Sequence, residues 1–297
     1  EDGKTYTFQL RKGVKWQNIP PVNGREFTSD DIKFSIEWQH SNPFYVYSYL
    51  FDSITQIELP DKYTVVLKLK EPYAPLINAF AGGRVWIFPK EVIDADGNLR
   101  KRAIGTGPFI LKSYDLRGLF SYERNPNYFI KELPYLDGID IFLIQDASAY
   151  KAALLAQALD LGEPDNSLAW NAIKKALPGA NAAAVLGASN CGLHGRVDKP
   201  DSPYSKIKVR QAISMAGDRK GMAAALNTPE SFPRGPMSPG WGDVALPVEK
   251  LGEGAQYYEY NPAKAKQFLT EAGYPNGFKI RVEGSSSPNL QPVGEVW

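Results

Sequence analysis

A helix with clear start signals lies between two segments of alternating polarity, and this order limits the fold class most. Residues 5–11 and 62–70 each alternate apolar and polar side chains, which is the period of a half-buried strand. Between them, Thr28 precedes Asp31 by three residues, the spacing of a capping box at a helix start. We therefore predict that the first hundred residues form mixed α and β structure, with both strands in one sheet.

The rest of the chain continues to mix strands and helices. β-rich or buried apolar runs predict further strands at 108–114, 119–124 and 138–144. One apolar helical stripe follows Asp146, and a stripe in another helix includes Val209. A third helix is marked by a capping Asn261, a first-turn Pro262 and a terminating Gly273. The fold class predicted from these patterns is α/β (mixed).

The turn Gly105-Thr106-Gly107 invites comparison with a phosphate-binding loop. Such loops present successive backbone N–H groups at the start of a helix. Here Pro108 removes one donor, and the residues that follow favour a strand. We predict that the turn binds no anion and instead leads into a strand.

Charge and hydropathy exclude several classes of partner. Lys and Arg number 34 against 33 Asp and Glu, a balance that gives no reason to expect nucleic acid. The one cysteine, Cys191, rules out an internal disulfide, and no apolar run reaches the roughly 20 residues of a membrane-spanning helix. The first residue is Glu1, and the sequence ends just as a new element starts. We expect both termini to be cuts, with any signal sequence removed.

Candidates for catalysis are few. The chain has two histidines, and the spacing of Cys191 and His194 supplies two metal ligands at most, so we expect no metal and no cofactor. Paired acids could hydrolyse a glycoside, and they remain the basis of an alternative function as a carbohydrate-active hydrolase. These pairs are Asp30 with Asp31, Asp137 with Asp140, and Glu163 with Asp165.

Four segments in order resemble the family 5 extracellular solute-binding proteins, the peptide-, dipeptide- and nickel-type receptors of ABC importers. The resemblance covers essentially the whole chain. Within the last two segments it includes Val-Arg-Gln-Ala followed by an Asp-Arg pair, and a helix of the type Asn-Pro-x-x-Ala-Lys. The segments are residues 3–38, 104–129, 199–222 and 260–280. Ala158-Leu159 departs from the Gly-Glu that is more usual in the family, which leaves the ligand class open.

The resemblance implies a two-lobed periplasmic-binding-protein clamp, incomplete at both termini. Residues 1–100 would be an extra α+β domain on lobe one, residues 101–189 part of lobe one, and residues 190–297 the start of lobe two. A partial sheet exposes unpaired backbone groups and apolar side chains. We therefore expect an open edge near 138–144 or 182–188, with Ile141, Leu143 and Val185 less buried than their pattern demands. Lobe two should end after a strand at 278–283, and ligand binding by residues 1–297 should be weak.

The resemblance also implies a function. The protein would be a non-catalytic receptor that captures a solute, with a peptide favoured, and delivers it to the membrane subunits of an ABC permease. It would act in the periplasm or on the outer face of the cytoplasmic membrane, held there, if at all, by a lipid anchor upstream. By the same resemblance, the ligand-binding candidates are Tyr45, Tyr47, Glu163, Asp165 and Trp241. Packing against the domain's own core is the alternative for the tyrosines, and a solvated loop is the alternative for the acids.

Overall fold

The computed structural model describes residues 2–116, 118–164, 167–183, 192–225, 236–280 and 283. The chain divides into two compact units, Glu1–Ile144 and Gln145–Trp297. The family resemblance predicts three parts, 1–100, 101–189 and 190–297, whose boundaries differ from the division after Ile144. This three-part division stays a prediction.

The first sheet of the first unit is built from the alternating segments. It contains β1 (Thr5–Gln9), β2 (Ile54–Asp61) and β3 (Thr64–Leu69) in the order β1-β3-β2, with both pairs antiparallel. The central strand β3 buries Val65 and Leu67 completely. The prediction that the 5–11 and 62–70 strands share one sheet is confirmed.

One long helix packs on this sheet, and two shorter helices follow it in the chain. Helix α1 (Ser29–Ser41) starts as its cap predicts, since the Thr28 N–H donates to Asp31 Oδ2 at 2.9 Å. The helices α2 (Pro75–Ala81) and α3 (Lys90–Asp96) follow β3. The main core lies between α1, α2 and the sheet, and its largest fully buried side chains are Ile36, Phe51, Leu67 and Leu76.

The second sheet follows the glycine turn. It contains β4 (Phe109–Asp115), β5 (Leu119–Arg124) and β6 (Gly138–Phe142), antiparallel in the order β4-β5-β6. The prediction that Gly105–Gly107 leads into a strand is confirmed. The Gly105 N–H donates to the buried Gln17 Oε1 at 3.2 Å, and the Gly107 carbonyl accepts from Asn125 Nδ2 at 2.9 Å. The backbone groups of the turn thus serve the fold.

Strand β6 forms one edge of the second sheet. Among the described strands it pairs only with β5. Ile141 within β6 is 45% exposed, and Leu143, just after its end, is 51% exposed. The expected open edge is confirmed for these two residues. The third candidate, Val185, lies outside the described residues.

The described part of the second unit is helical. It contains α4 (Ala147–Leu155), α5 (Ser167–Ala176), α6 (Ile207–Ala216), α7 (Arg219–Ala225) and α8 (Pro262–Glu271). The predicted cap of α8 is confirmed, because Asn261 Oδ1 accepts from the Lys264 N–H. Helix α4 begins after Asp146 as predicted, and Asp146 Oδ1 accepts from the Ala149 N–H. Helices α6 and α8 pack together around Ala212, Met215 and Ala265. The strand expected at 278–283 is absent from residues 278–280, where no described segment offers a pairing partner.

Candidate functional site

The loop after α1 places Tyr45 and Tyr47 in a cluster of aromatic rings. Tyr45 lies 6.4 Å from Phe51 and 6.3 Å from Trp86 between ring centroids, and its hydroxyl donates to the Arg84 carbonyl. Tyr45 is half-buried and packs against the main core of the first unit. Burial, followed by the neighbouring Tyr47 and Tyr49, raises the pKa of the Tyr45 hydroxyl above its ordinary value. Tyr45 thus packs against the core and contacts the ring of Tyr47.

Tyr47 has a different setting, because 37% of its surface is exposed. Its ring contacts Tyr45 at 6.0 Å and Tyr49 at 6.5 Å between centroids. The Arg84 guanidinium lies 5.3 Å from the centroid of the Tyr47 ring, a cation–π distance. We call Tyr45, Tyr47, Tyr49, Arg84 and Trp86 the aromatic cluster. It offers exposed ring surface and a cation, the groups that hold planar or anionic parts of a solute.

A buried glutamine fixes the position of Trp86. Gln39 Nε2 donates to the Trp86 carbonyl at 2.8 Å, and Gln39 Oε1 accepts from the Trp86 N–H at 3.1 Å. Sequence reasoning missed Trp86 and Arg84, because contacts over 47 residues bring the 84–86 segment to α1. The sequence offered one signal for this contact, a polar residue, Gln39, on the buried face of α1. Sequence reasoning also left out Tyr49, although that residue lies only two positions after Tyr47.

The other candidates belong to the second unit. Glu163 is exposed, and its N–H donates to the Tyr150 hydroxyl. Trp241 is 53% exposed in a 3-10 segment, Pro239–Val244. Asp165 lies outside the described residues. The structure therefore brings Tyr45 and Tyr47 together, and their roles in binding, like those of Glu163, Asp165 and Trp241, stay predictions.

The second unit also contains a pocket of about 590 Å³ between α4 and α5. One wall is the 159–164 loop, which precedes α5, and another is the 177–182 segment, which follows it. Its lining includes Trp170, Lys174 and Asp160. Its volume is typical of small-molecule sites.

Three of the six paired acids, Asp31, Asp137 and Asp140, have side-chain partners in the fold. Asp31 is buried and accepts from Arg25 and from the Trp16 indole, at 2.6 Å and 3.2 Å. Asp137 lies 2.7 Å from Arg124, and Asp140 accepts from Ser121 Oγ at 2.6 Å. Within the described ranges, no group of three or more His, Cys, Asp or Glu side chains could hold a metal ion.

Comparison with known proteins identifies the family. The sequence model of the bacterial extracellular solute-binding proteins, family 5, matches residues 1–296. The chain belongs to this family. The resemblance deduced from the four sequence segments is thereby confirmed, and the mixed α/β architecture matches solved clamps of periplasmic binding proteins.

Individual family 5 relatives differ in what their names say they bind. The chain is 29% identical to heme-binding protein A of Haemophilus influenzae and 30% identical to the dipeptide-binding protein of Escherichia coli K12, with all of this chain aligned to each. It is similar, with a TM-score of 0.72 and 26% identity over 93% of this chain, to the Helicobacter pylori periplasmic binding protein DppA, solved with the peptide STSA.

The chain spans only part of these family 5 proteins. It covers 57% and 58% of the two curated relatives and 56% of the H. pylori structure. In the part of the chain that the structure describes, the helices are too short or too polar to cross a membrane.

Proposed function

We propose that this protein captures a solute outside the cytoplasmic membrane and delivers it to the permease of an ABC importer. The observation that carries the proposal is the family match along residues 1–296. The expected location follows from the same match, since the family is described as extracellular. The permease subunits are its macromolecular partners, and any membrane attachment is a lipid anchor upstream of residue 1.

A peptide is the ligand class that we favour. The E. coli relative is named for dipeptides, and the H. pylori protein holds a tetrapeptide. The H. influenzae relative is named for heme, so family membership alone does not decide the ligand. The aromatic cluster favours a ligand with flat or apolar side chains, because rings supply contact area at low entropic cost.

Capture by a two-lobed clamp uses differential affinity. A solute that contacts both lobes only in the closed state shifts the population towards that state. We assign residues 1–100 to the extra domain, 101–189 to lobe one and 190–297 to lobe two. In this assignment the candidate Tyr47 belongs to the extra domain, Glu163 and Asp165 belong to lobe one, and Trp241 belongs to lobe two.

We propose further that the protein is not an enzyme. Three of the candidate acids have side-chain partners in the fold, since Arg25 contacts Asp31, Arg124 contacts Asp137 and Ser121 donates to Asp140. The relatives reported above are binding proteins and give the hydrolase alternative no support.

Native mass spectrometry of the protein mixed with a pool of di- to tetrapeptides tests the ligand class. We expect peptides to be retained, and retention to fall in Tyr47→Ala because the exposed ring and its cation contact are lost. Tyr63→Ala is the matched control, since that ring lies in the same unit outside the aromatic cluster and also has a cation nearby, Lys12 at 5.4 Å. Retention of no peptide, with retention of heme or a sugar instead, would contradict the peptide assignment.

A further inference from the structure

A buried polar residue on α1 carries an inference that rests on the proposed function and deepens it. We propose that Gln39 is a positioning residue for solute binding, which places Trp86 and Arg84 of the aromatic cluster without touching the solute. Gln39 is 1% exposed, so its side chain acts through the groups that it contacts.

The buried face of α1 holds the 86–88 segment as a neighbouring strand would. Gln39 bonds both backbone groups of Trp86, at 2.8 Å and 3.1 Å. One turn earlier, Ser35 Oγ accepts from the Phe88 N–H at 3.0 Å and donates to the Phe88 carbonyl at 3.1 Å. Residues 86–89, all within the described ranges, lie outside every helix and strand. Buried backbone groups need partners, and here two side chains of α1 supply them.

The turn before Trp86 is fixed through Trp86 itself. Its indole N–H donates to the Gly83 carbonyl at 2.8 Å, and the next residue after Gly83 is Arg84. The Arg84 guanidinium lies 5.3 Å from the centroid of the Tyr47 ring. A continuous series of contacts therefore leads from Gln39 through Trp86 to the cation beside Tyr47.

The two polar residues of α1 serve different parts of the first unit. The Phe88 side chain, whose backbone Ser35 holds, is 5% exposed, and its ring meets Trp38 edge to face at 5.3 Å between centroids. The Trp86 side chain, whose backbone Gln39 holds, is 57% exposed. Ser35 thus stabilises the interior, whereas Gln39 stabilises the exposed aromatic cluster.

This difference links Gln39 to solute affinity. A solute that meets a surface already in place loses less free energy to ordering than one that must order the surface as it binds. Without the Gln39 amide, both backbone groups of Trp86 lose their partner, and the indole and Arg84 have to be ordered by the solute. The expected result is weaker binding in a protein that is still folded.

Fluorescence anisotropy of Trp86 tests the placement with no ligand present. Each protein is measured with and without Trp86→Phe, so that the difference reports this one indole. We expect Gln39→Met, which removes the amide and keeps an unbranched side chain, to lower the anisotropy. Ser35→Ala is the matched control, since it removes the other buried polar group that holds the same segment, and it should leave the Trp86 signal unchanged.

Urea unfolding checks that both variants are folded. If Gln39→Met is not, Gln39→Asn replaces it, because its amide is one methylene too short to bond both groups of Trp86, and the same fall in anisotropy is expected. An unchanged signal in the Gln39 variant, or equal falls in the Gln39 and Ser35 variants, would overturn the inference.

Native mass spectrometry with the pool of di- to tetrapeptides, and with heme in a separate sample, tests the effect on binding. We expect the apparent Kd of the retained solute to rise about fivefold in Gln39→Met and to stay within about twofold in Ser35→Ala. A fall in anisotropy with normal retention would show that Gln39 serves the fold alone, which also overturns the inference.

Failure of this inference is distinguishable from failure of the proposed function. If Tyr47→Ala loses the solute while Gln39→Met retains it normally, the receptor function stands and the role of Gln39 is wrong. If the unmodified protein retains neither peptide nor heme, the proposed capture of these solutes fails, and the anisotropy of Trp86 still decides whether Gln39 places the indole.

Discussion

At the scale of single residues, Arg25 joins two acidic side chains of the first unit. It bridges the buried Asp31 and the half-buried Glu91, at 2.6 Å and 2.8 Å. Arg25→Met leaves the Asp31 carboxylate buried without its charge partner, and Arg25 itself is 34% exposed. We expect a loss of about 2–3 kcal/mol in the free energy of urea unfolding, below the full value for a buried pair. Lys33→Met should change it by less than about 0.5 kcal/mol, because the Lys33–Glu37 pair is exposed.

The ion pair between Arg25 and Glu91 also makes the stability depend on pH. The hydrogen bond from Arg25 holds the pKa of Glu91 below its ordinary value in the folded state. A lowered folded pKa contributes stability above the unfolded pKa, and this contribution is lost as the pH falls through the folded one. Arg25→Met should therefore lose less stability than the unmodified protein between neutral pH and about pH 3. A parallel loss in both proteins would show that this bridge contributes nothing.

Prediction from sequence worked where a residue acts through its close neighbours in the chain. Thr28 with Asp31, Asp146 with Ala149 and Asn261 with Lys264 are local caps, so the sequence contains the whole interaction. It failed for Trp86 and Arg84, which reach Tyr45 and Tyr47 only through the fold. The candidate site was thus half predictable, since the tyrosines were found and the groups around them were not.

At the scale of elements, the two sheets differ in how much of each strand is covered. Leu67 in the central strand β3 is fully buried, whereas Ile141 in the edge strand β6 is 45% exposed. We expect Ile141→Lys to change the unfolding free energy by less than about 0.5 kcal/mol and to reduce aggregation, since a charge blocks edge-to-edge pairing. Leu67→Ala should cost about 2–5 kcal/mol. Urea titration and light scattering measure the two effects, and a large stability loss in Ile141→Lys would contradict the open edge.

Elements were predictable where a period was clear. The alternation in β1 and β3 has a period of two, while β2 contains Pro60 and has no clean alternation. The short helices α2 and α3 lack a capping side-chain hydrogen bond, and they are stabilised by packing against the core. Tertiary contact, which no local pattern contains, decides such segments.

At the scale of the whole molecule, the two compact units have separate cores. The first unit has clusters around Leu67 and around Trp16, and the described part of the second unit has a smaller one around Met215 between α6 and α8. Regions with fewer buried apolar contacts open at lower free energy. We expect hydrogen exchange in α6 and α8 to be faster than in β3.

Met215→Ala tests whether these cores are energetically separate. Met215 is 1% exposed, so its truncation should cost the second unit about 2–5 kcal/mol. The backbone amides of α6 and α8 should then exchange faster, while those of β3 keep their rates, because Met215 belongs to the core cluster of the second unit and β3 to that of the first. Lys208→Ala is the control on α6, since its ion pair with Glu271 is exposed and weak. Hydrogen exchange with mass spectrometry reads both units in one sample. Equal acceleration in β3 and α6 would mean that the two units unfold as one, and that a ligand in the pocket of the second unit would stabilise the aromatic cluster as well.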